Sequence, residues 1–439
     1  MRDLMLLGVM AVLFPLAISN SFLAYLLWGW AGLIALNSYL YGFMAGVPFV
    51  QIFAMIALVL ILIKRDGEQI AFTANRTIFL FVVLACHSAL VAAFAYEGLP
   101  RNAETISNIL KTLLYCSLMP MLVTSRLRIH ALVVAIVLAL SFHGLLDGLK
   151  FLASGGTHNA RGVAKFGDNN YLAMALVTVI PLQLYLYRYS KNRLAKLGFA
   201  GVALLTILAV VATHSRGGFL TLFCVAIWLL WGSKRKALGL ASLFACAVLV
   251  VVMAPASWSE RMGTMQRAGE DSSFMTRVAV WKKSTAIALA HPVVGGGFFA
   301  VQSPPTFEKF RNEQGLLGFI DTPDPAMYAA HSIYFQVMSD MGFVGFFVYF
   351  VVLANAFITR FEIRNLAGRL GPTAGWAVDL SNMLAAGLIA FMVGGALLSA
   401  AYLEIPFLMV ALLEVVKQQL LRQLSSGAEQ NNISVPSQA

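Results

Sequence analysis

Few residues in this chain are equipped for chemistry, and those few sit where long apolar runs end. The run Thr213-His214-Ser215-Arg216-Gly217-Gly218 precedes an apolar stretch at 218–232. A helix starting there offers free backbone N–H groups and the positive end of its dipole. Arg216 adds a fixed cation, and the two glycines let a ligand approach the backbone. Such a seat suits a phosphate group, with His214 beside it as a candidate substrate contact. The competing reading is an interfacial arginine that snorkels to lipid headgroups.

A second group lies further along. The pattern predicts an amphipathic helix over Ser273–Ala290, stopped by His291-Pro292 and Gly295-Gly296-Gly297. Arg277 and Trp281 are one turn apart on one face, with Lys282 and Lys283 alongside. The helix could lie over a membrane surface and present Arg277 to an anionic group, with Lys282 as a further contact. It could equally be an interfacial helix anchored by Trp and cations.

The third group is the run His331-Ser332-Ile333-Tyr334-Phe335-Gln336, followed by Gly342 and Gly345, at the start of the apolar stretch 333–356. A helix dipole there would lower the histidine pKa, leaving a neutral imidazole able to accept a proton near pH 7. Tyr334 is a candidate substrate contact on the first turn. A lone histidine at a span end can also be a plain polar interfacial residue. In the segment Lys150–Asn170, Arg161 could supply a third cation and Asn170 a further substrate contact, or the segment is a solvated linker. No metal site or cofactor is expected. Asp321 and Asp324 are separated by Pro323, with no third carboxylate at ligand spacing.

The elements that must position these groups are membrane spans. Of 439 residues, 59% are hydrophobic and only 12% charged, and the mean hydropathy is +0.79. A soluble domain is about one-quarter charged, so an integral membrane protein is expected, embedded in membrane lipids. Runs of ~20 apolar residues predict helices, not the alternating strands of an outer-membrane barrel. The four cysteines fall within apolar runs, which argues against structural disulfides or thiolate metal sites. The net charge of +11 is carried by short loops between spans and is not a nucleic-acid footprint.

Apolar runs from 47–63 to 401–416, with 4–18 and 22–36 at the start, predict about twelve spans. Residues 1–36 read as one crossing plus a re-entrant or interfacial half. The loops rich in Lys and Arg (64–76, 125–128, 188–196, 234–236 and 360–369) alternate with loops poor in them. The positive-inside rule makes the basic set cytoplasmic and places the chemical candidates on the opposite side. The expected layout is spans over 1–254, a long external catalytic loop with helices over 255–331, spans over 332–422, and a disordered cytoplasmic tail over 423–439.

The Arg-Gly-Gly at a span start, the series Arg277, Trp281, Pro292, Gly295-x-Gly297, and the series His331-Ser332-x-Tyr334, Gly342-x-x-Gly345 together resemble the O-antigen ligase family. That family includes related polysaccharide polymerases and protein O-glycosylation ligases. The opening Met1-Arg2-Asp3-Leu4 with Trp28-Gly29-Trp30 also resembles a subgroup of O-glycosylation ligases. The resemblance implies an all-α, polytopic, GT-C-like glycosyltransferase of the bacterial inner membrane whose active site faces the periplasm. It implies transfer of a glycan from undecaprenyl pyrophosphate, in the ligases to lipid A–core oligosaccharide, without a metal. By similarity His331, Arg216 and Arg277 match the family's essential residues, and Arg161 matches less closely. Ser332 departs from the Asn that many relatives carry after the histidine. A transporter of lipid-linked sugar is the alternative from another class. It would need polar groups along the membrane middle, where this chain has few.

Overall fold

Backbone N–H and C=O groups in long apolar segments must find partners within the segment, and helices supply them. The computed structural model describes residues 2–63, 74–96, 99, 101–163, 166–231, 272–322 and 327–433, and no strand occurs among them. The helices are α1 (Arg2–Ser19), α2 (Ser21–Ile34), α3 (Phe49–Ile63), α4 (Arg76–Ala93), α5 (Asn102–Leu122), α6 (Arg126–Ala153) and α7 (Asn169–Tyr189). They continue with α8 (Arg193–Ala212), α9 (Arg216–Trp231), α10 (Ser272–Ala290), α11 (Pro304–Lys309), α12 (Ile333–Leu370), α13 (Gly375–Gly395) and α14 (Glu404–Ile433). Six helical stretches among the described residues are long and apolar enough to cross a membrane: α1, α4, α6, α7, α8 and the stretch Ile333–Gly395, which holds α12 and α13. The chain is thus an all-helical, multi-pass membrane protein. The expected span over 237–254 and the basic loop 234–236 lie outside the described residues.

The first 36 residues form two helices broken where expected. Asn20 caps α2 by accepting from the N–H groups of Phe22 and Leu23. At about 1.5 Å per residue the 14 residues of α2 span about 21 Å, short of a ~30 Å hydrocarbon core.

Buried α7 is the hub of the bundle. Its flanking helices approach through small residues, as apolar surroundings favour. A Cβ on Gly148 of α6 would lie 2.2 Å from the Leu205 carbonyl of α8, and one on Gly387 of α13 would lie 2.8 Å from that of Thr178 in α7. At the centre, Gln183 donates to Ser141 (2.7 Å) and Thr206 (2.9 Å), tying α6, α7 and α8 together.

Ion pairs between helices gather at one end of the bundle. Arg76 at the start of α4 meets Glu362 of α12 at 2.9 Å, and Lys417 of α14 reaches both Glu362 (3.3 Å) and Glu414 (2.9 Å). Arg188, ending α7, pairs with Asp379 near the start of α13. The start of α7, the end of α13 and the start of α12 therefore lie at the opposite end, and that end carries the chemical candidates.

Two sequence expectations change. Helix α14 runs to Ile433, where a disordered tail was expected from 423. Leu420 is fully buried and Arg422 donates to the carbonyls of Thr124 and Pro120, so packing carries the helix past the apolar run. Residues 434–439 lie outside the described residues. Helix α10, expected to lie on a membrane surface, packs on α12 instead and is buried from Val278 to Ala288 apart from the half-buried Trp281.

Candidate active site

The backbone around His331 is held from both sides. Ser332 is the extended N-cap residue of α12 (φ −165°), and His331 before it is left-handed, with φ 46°. Few residues other than glycine adopt that conformation unless their surroundings hold it. The His331 N–H donates to Ser399 Oγ at 2.8 Å, on the segment joining α13 to α14. One residue earlier, the buried Ala330 carbonyl accepts from Trp281 Nε1 at 2.7 Å. The indole stacks on Phe335 with centroids 4.7 Å apart and planes at 12°. Trp281 is therefore a packing element of the site and not a lipid anchor.

The same face of α10 carries Arg277, and its charge acts on His331. The half-buried imidazole has its pKa lowered chiefly by burial, then by the Arg277 guanidinium, with Asp168 opposing. The expected direction holds, but the leading causes differ from the helix dipole invoked from sequence. A neutral imidazole, able to accept a proton, is therefore favoured, and Asp168 would favour the imidazolium once a proton is taken up.

Asp168 is the N-cap of α7 and accepts from Asn170 N at 2.7 Å. Tyr171, on the first turn of α7, interacts electrostatically with Asp168 and Arg101 and lies within hydrogen-bonding reach of the Ser399 backbone. The Arg101 guanidinium lies 5.2 Å above the ring of Phe299. Arg277, His331, Asp168, Tyr171 and Arg101 thus form one charged cluster at the end of the bundle.

Arg216 reaches that end through the same turn of α7. Asn169 donates to the Thr213 carbonyl (2.8 Å), Ser215 donates to Asn170 Oδ1 (2.7 Å), and Ser215 Oγ accepts from Gly218 N (3.0 Å). A Cβ on Gly218 would come within 2.7 Å of Ala173, so α9 starts flush against α7. Arg216 therefore opens a helix whose first turn is bolted to the Asp168–Tyr171 turn. A Cβ on Gly217 would have Leu397, two residues before Ser399, at 3.8 Å.

A break in α12 supports this geometry from below. Gly342 has φ 69° and ψ −173°, a conformation open essentially to glycine alone. The loop after α10 fills the gap: Gly296 N donates to Ser339 O (2.9 Å), Gly297 N to Asp340 O (3.1 Å), and Val344 N to Pro292 O (3.1 Å). The fully buried Asp340 carboxylate accepts from Tyr402 (2.9 Å) and Ser339 (3.2 Å), and backbone hydrogen bonds join it to Phe299 and Ala300. One carboxylate thus ties the loop after α10 to the segment carrying Ser399.

The remaining sequence candidates fall in different places. Asn170 is engaged with Ser215 and Asn169, which makes it a support of the Arg216 turn. His214 occupies that turn with φ 51°. Tyr334 donates to the Met392 carbonyl of α13 and stacks on Phe350. Lys282 bonds Gln314 on the other side of α10. Arg161 is exposed and makes no hydrogen bond or ion pair among the described residues; the third cation found in the cluster is Arg101. Sequence reasoning gave no role to Ser399, Tyr171 or Arg101. For Asp168 a signal existed, since an Asp directly before an apolar helix is a natural N-cap.

Comparison with known proteins adds two matches. Residues 1–191 match a family of unknown function, and residues 201–350 match the family described as O-antigen ligase. The second stretch contains Arg216, Arg277 and His331. No curated protein matches the chain. The chain therefore carries, over residues 201–350, a domain that matches the O-antigen ligase family.

Proposed function

We propose that this protein is a glycosyltransferase that moves an O-antigen glycan from undecaprenyl pyrophosphate to a hydroxyl of lipid A–core oligosaccharide. It acts at the periplasmic face of the bacterial inner membrane. The observation that carries the reading is the cluster around His331: a half-buried imidazole under the opposing charges of Arg277 and Asp168, with the Ala330–His331 backbone held by Trp281 and Ser399. In the proposed step the acceptor oxygen attacks the anomeric carbon, and the bond from that carbon to the pyrophosphate oxygen breaks. The hydroxyl proton passes to His331, and the pyrophosphate stays on its lipid. Pyrophosphate leaves as a stable anion, so the protonating carboxylic acid that a glycosidase needs can be dispensed with. Arg277 and Arg216 would take up the developing negative charge, a role whose loss typically costs about 3–4 kcal/mol. Direct attack opposite the pyrophosphate inverts the anomeric centre. The long loop 255–331 is proposed to be external, in keeping with the basic residues at the other end of the bundle.

A polymerase or protein O-oligosaccharyltransferase would use the same residues with another acceptor. Reconstitution of the purified protein with undecaprenyl-pyrophosphate glycan and either lipid A–core, unlinked glycan or an acceptor protein decides among them. His331→Ala is expected to abolish transfer with unchanged membrane abundance. Transfer by that variant would remove the histidine from the role of base.

A further inference from the structure

Helix α10 has a second working face. At about 100° per residue, Ala279, Lys282 and Lys283 lie on the side of the helix away from Arg277 and Trp281. They form one wall of an open pocket of about 450 Å³ whose other wall carries Arg311, Asn312, Glu313, Gln314, Asp321 and Thr322. Small-molecule sites are of this size. Its walls are fixed. A Cβ on Gly315 (φ 56°) would lie 2.4 Å from the Lys282 carbonyl, and Leu316 N donates to Thr285 Oγ1 at 3.0 Å.

The lining is unusual in what it buries. Lys283 is 2% exposed, and its ammonium has no hydrogen-bond partner. The ammonium sits 3.2 Å above the ring of Phe307. Burial and the nearby Arg311 pull its pKa down to about 8, against Glu308. An ammonium ion has three donors to satisfy, and a buried one without an acceptor is costly. Lys282 is also buried and spends a bond on Gln314 (3.0 Å), while Arg311, exposed at the rim, pairs with Glu308 at 3.6 Å. Three cations therefore surround a cavity whose other groups are amides, a hydroxyl and two carboxylates. Amides and carboxylates match the hydroxyls of a sugar, and clustered cations match an acidic substituent.

We propose that this pocket binds a saccharide bearing a phosphate or carboxylate group, as a site separate from the His331 cluster. Trp281 lies between the two, so a glycan seated here would be held on the far side of the helix that presents Arg277.

The test is calorimetric titration of the purified full-length protein in detergent with a hexose phosphate, the unmodified hexose and inorganic phosphate. The hexose phosphate is expected to bind saturably and at least tenfold more tightly than either control. Lys283→Met, which keeps the length and removes the buried charge, should weaken binding at least tenfold while leaving thermal stability unchanged or raised. Arg311→Ala, at an exposed rim position, should weaken it severalfold. Arg216→Ala should leave it unchanged, whatever becomes of transfer activity. The proposal is overturned if the hexose phosphate does not saturate, or if inorganic phosphate binds as tightly. It is equally overturned if binding disappears in Arg216→Ala, or if it survives intact in Arg311→Ala. Should Lys283→Met fail to accumulate, Arg311→Ala decides alone. A loss of thermal stability in Lys283→Met with unchanged binding would assign the ammonium to packing on Phe307.

Discussion

Trp281→Phe isolates one bond. Phenylalanine keeps an aromatic ring to stack on Phe335 but cannot donate to Ala330 O, which Trp281 Nε1 reaches at 2.7 Å. Ala330 is fully buried, so its carbonyl would lose its partner away from water. Such an orphaned acceptor costs about 1–3 kcal/mol, equivalent to about a 5- to 150-fold effect if all of it appeared in the barrier. The 2.8 Å bond from His331 N to Ser399 persists and limits how far the histidine can drift. We therefore expect the low end, about a tenfold fall in kcat. The KM for the lipid-linked donor should stay near normal, because Arg216 and Arg277 are untouched. The assay is glycan transfer by purified protein in detergent at saturating donor and varied acceptor, with a thermal melt in parallel. Trp281→Ala should also lose the stack and leave a cavity, costing about 3–5 kcal/mol and lowering abundance. Wild-type turnover in Trp281→Phe would refute the idea that the indole positions His331. So would a loss expressed only as a raised donor KM.

Other outcomes follow from the same geometry. The acid limb of kcat/KM should have its midpoint below the usual histidine value of about 6.5, with activity lost as pH falls through the lowered pKa. Residual activity in Arg277→Gln should shift that limb upward, and in Asp168→Asn downward; no movement in either variant would detach the limb from His331. Arg216→Lys should remain impaired at least tenfold, since a point charge cannot replace a planar fork, and near-normal transfer would favour simple snorkelling. Gly342→Ala should sharply reduce folded protein, because its Cβ would sit 2.6 Å from the Pro292 carbonyl at a φ of 69°, and normal melting would contradict the tight interlock described for this break.

The helical class, the multi-pass character and most helix positions were legible because apolar runs with basic flanks carry their own physics. The helix expected at Ser273–Ala290 is found at Ser272–Ala290. What escaped was its burial, because pattern alone does not say what covers a face. Ser399, Arg101 and Tyr171 join the candidate cluster only through contacts between distant parts of the chain. A serine between apolar runs, or one arginine in a short loop, has no local signature. Arg161 was the candidate third cation from sequence, whereas the structure places Arg101, packed on Phe299, in the cluster. The partners of Asp340 in the loop after α10 could not be read from spacing either.

The break at Gly342 also has a bearing on how the protein is made. Residues 292–297 leave the ribosome before residues 339–344, whose backbone they must join. During that interval the glycine turn has no protein partner for its N–H groups and depends on water. Locking therefore waits for the later span to arrive, and a chain truncated before residue 339 would leave the turn without its backbone partners.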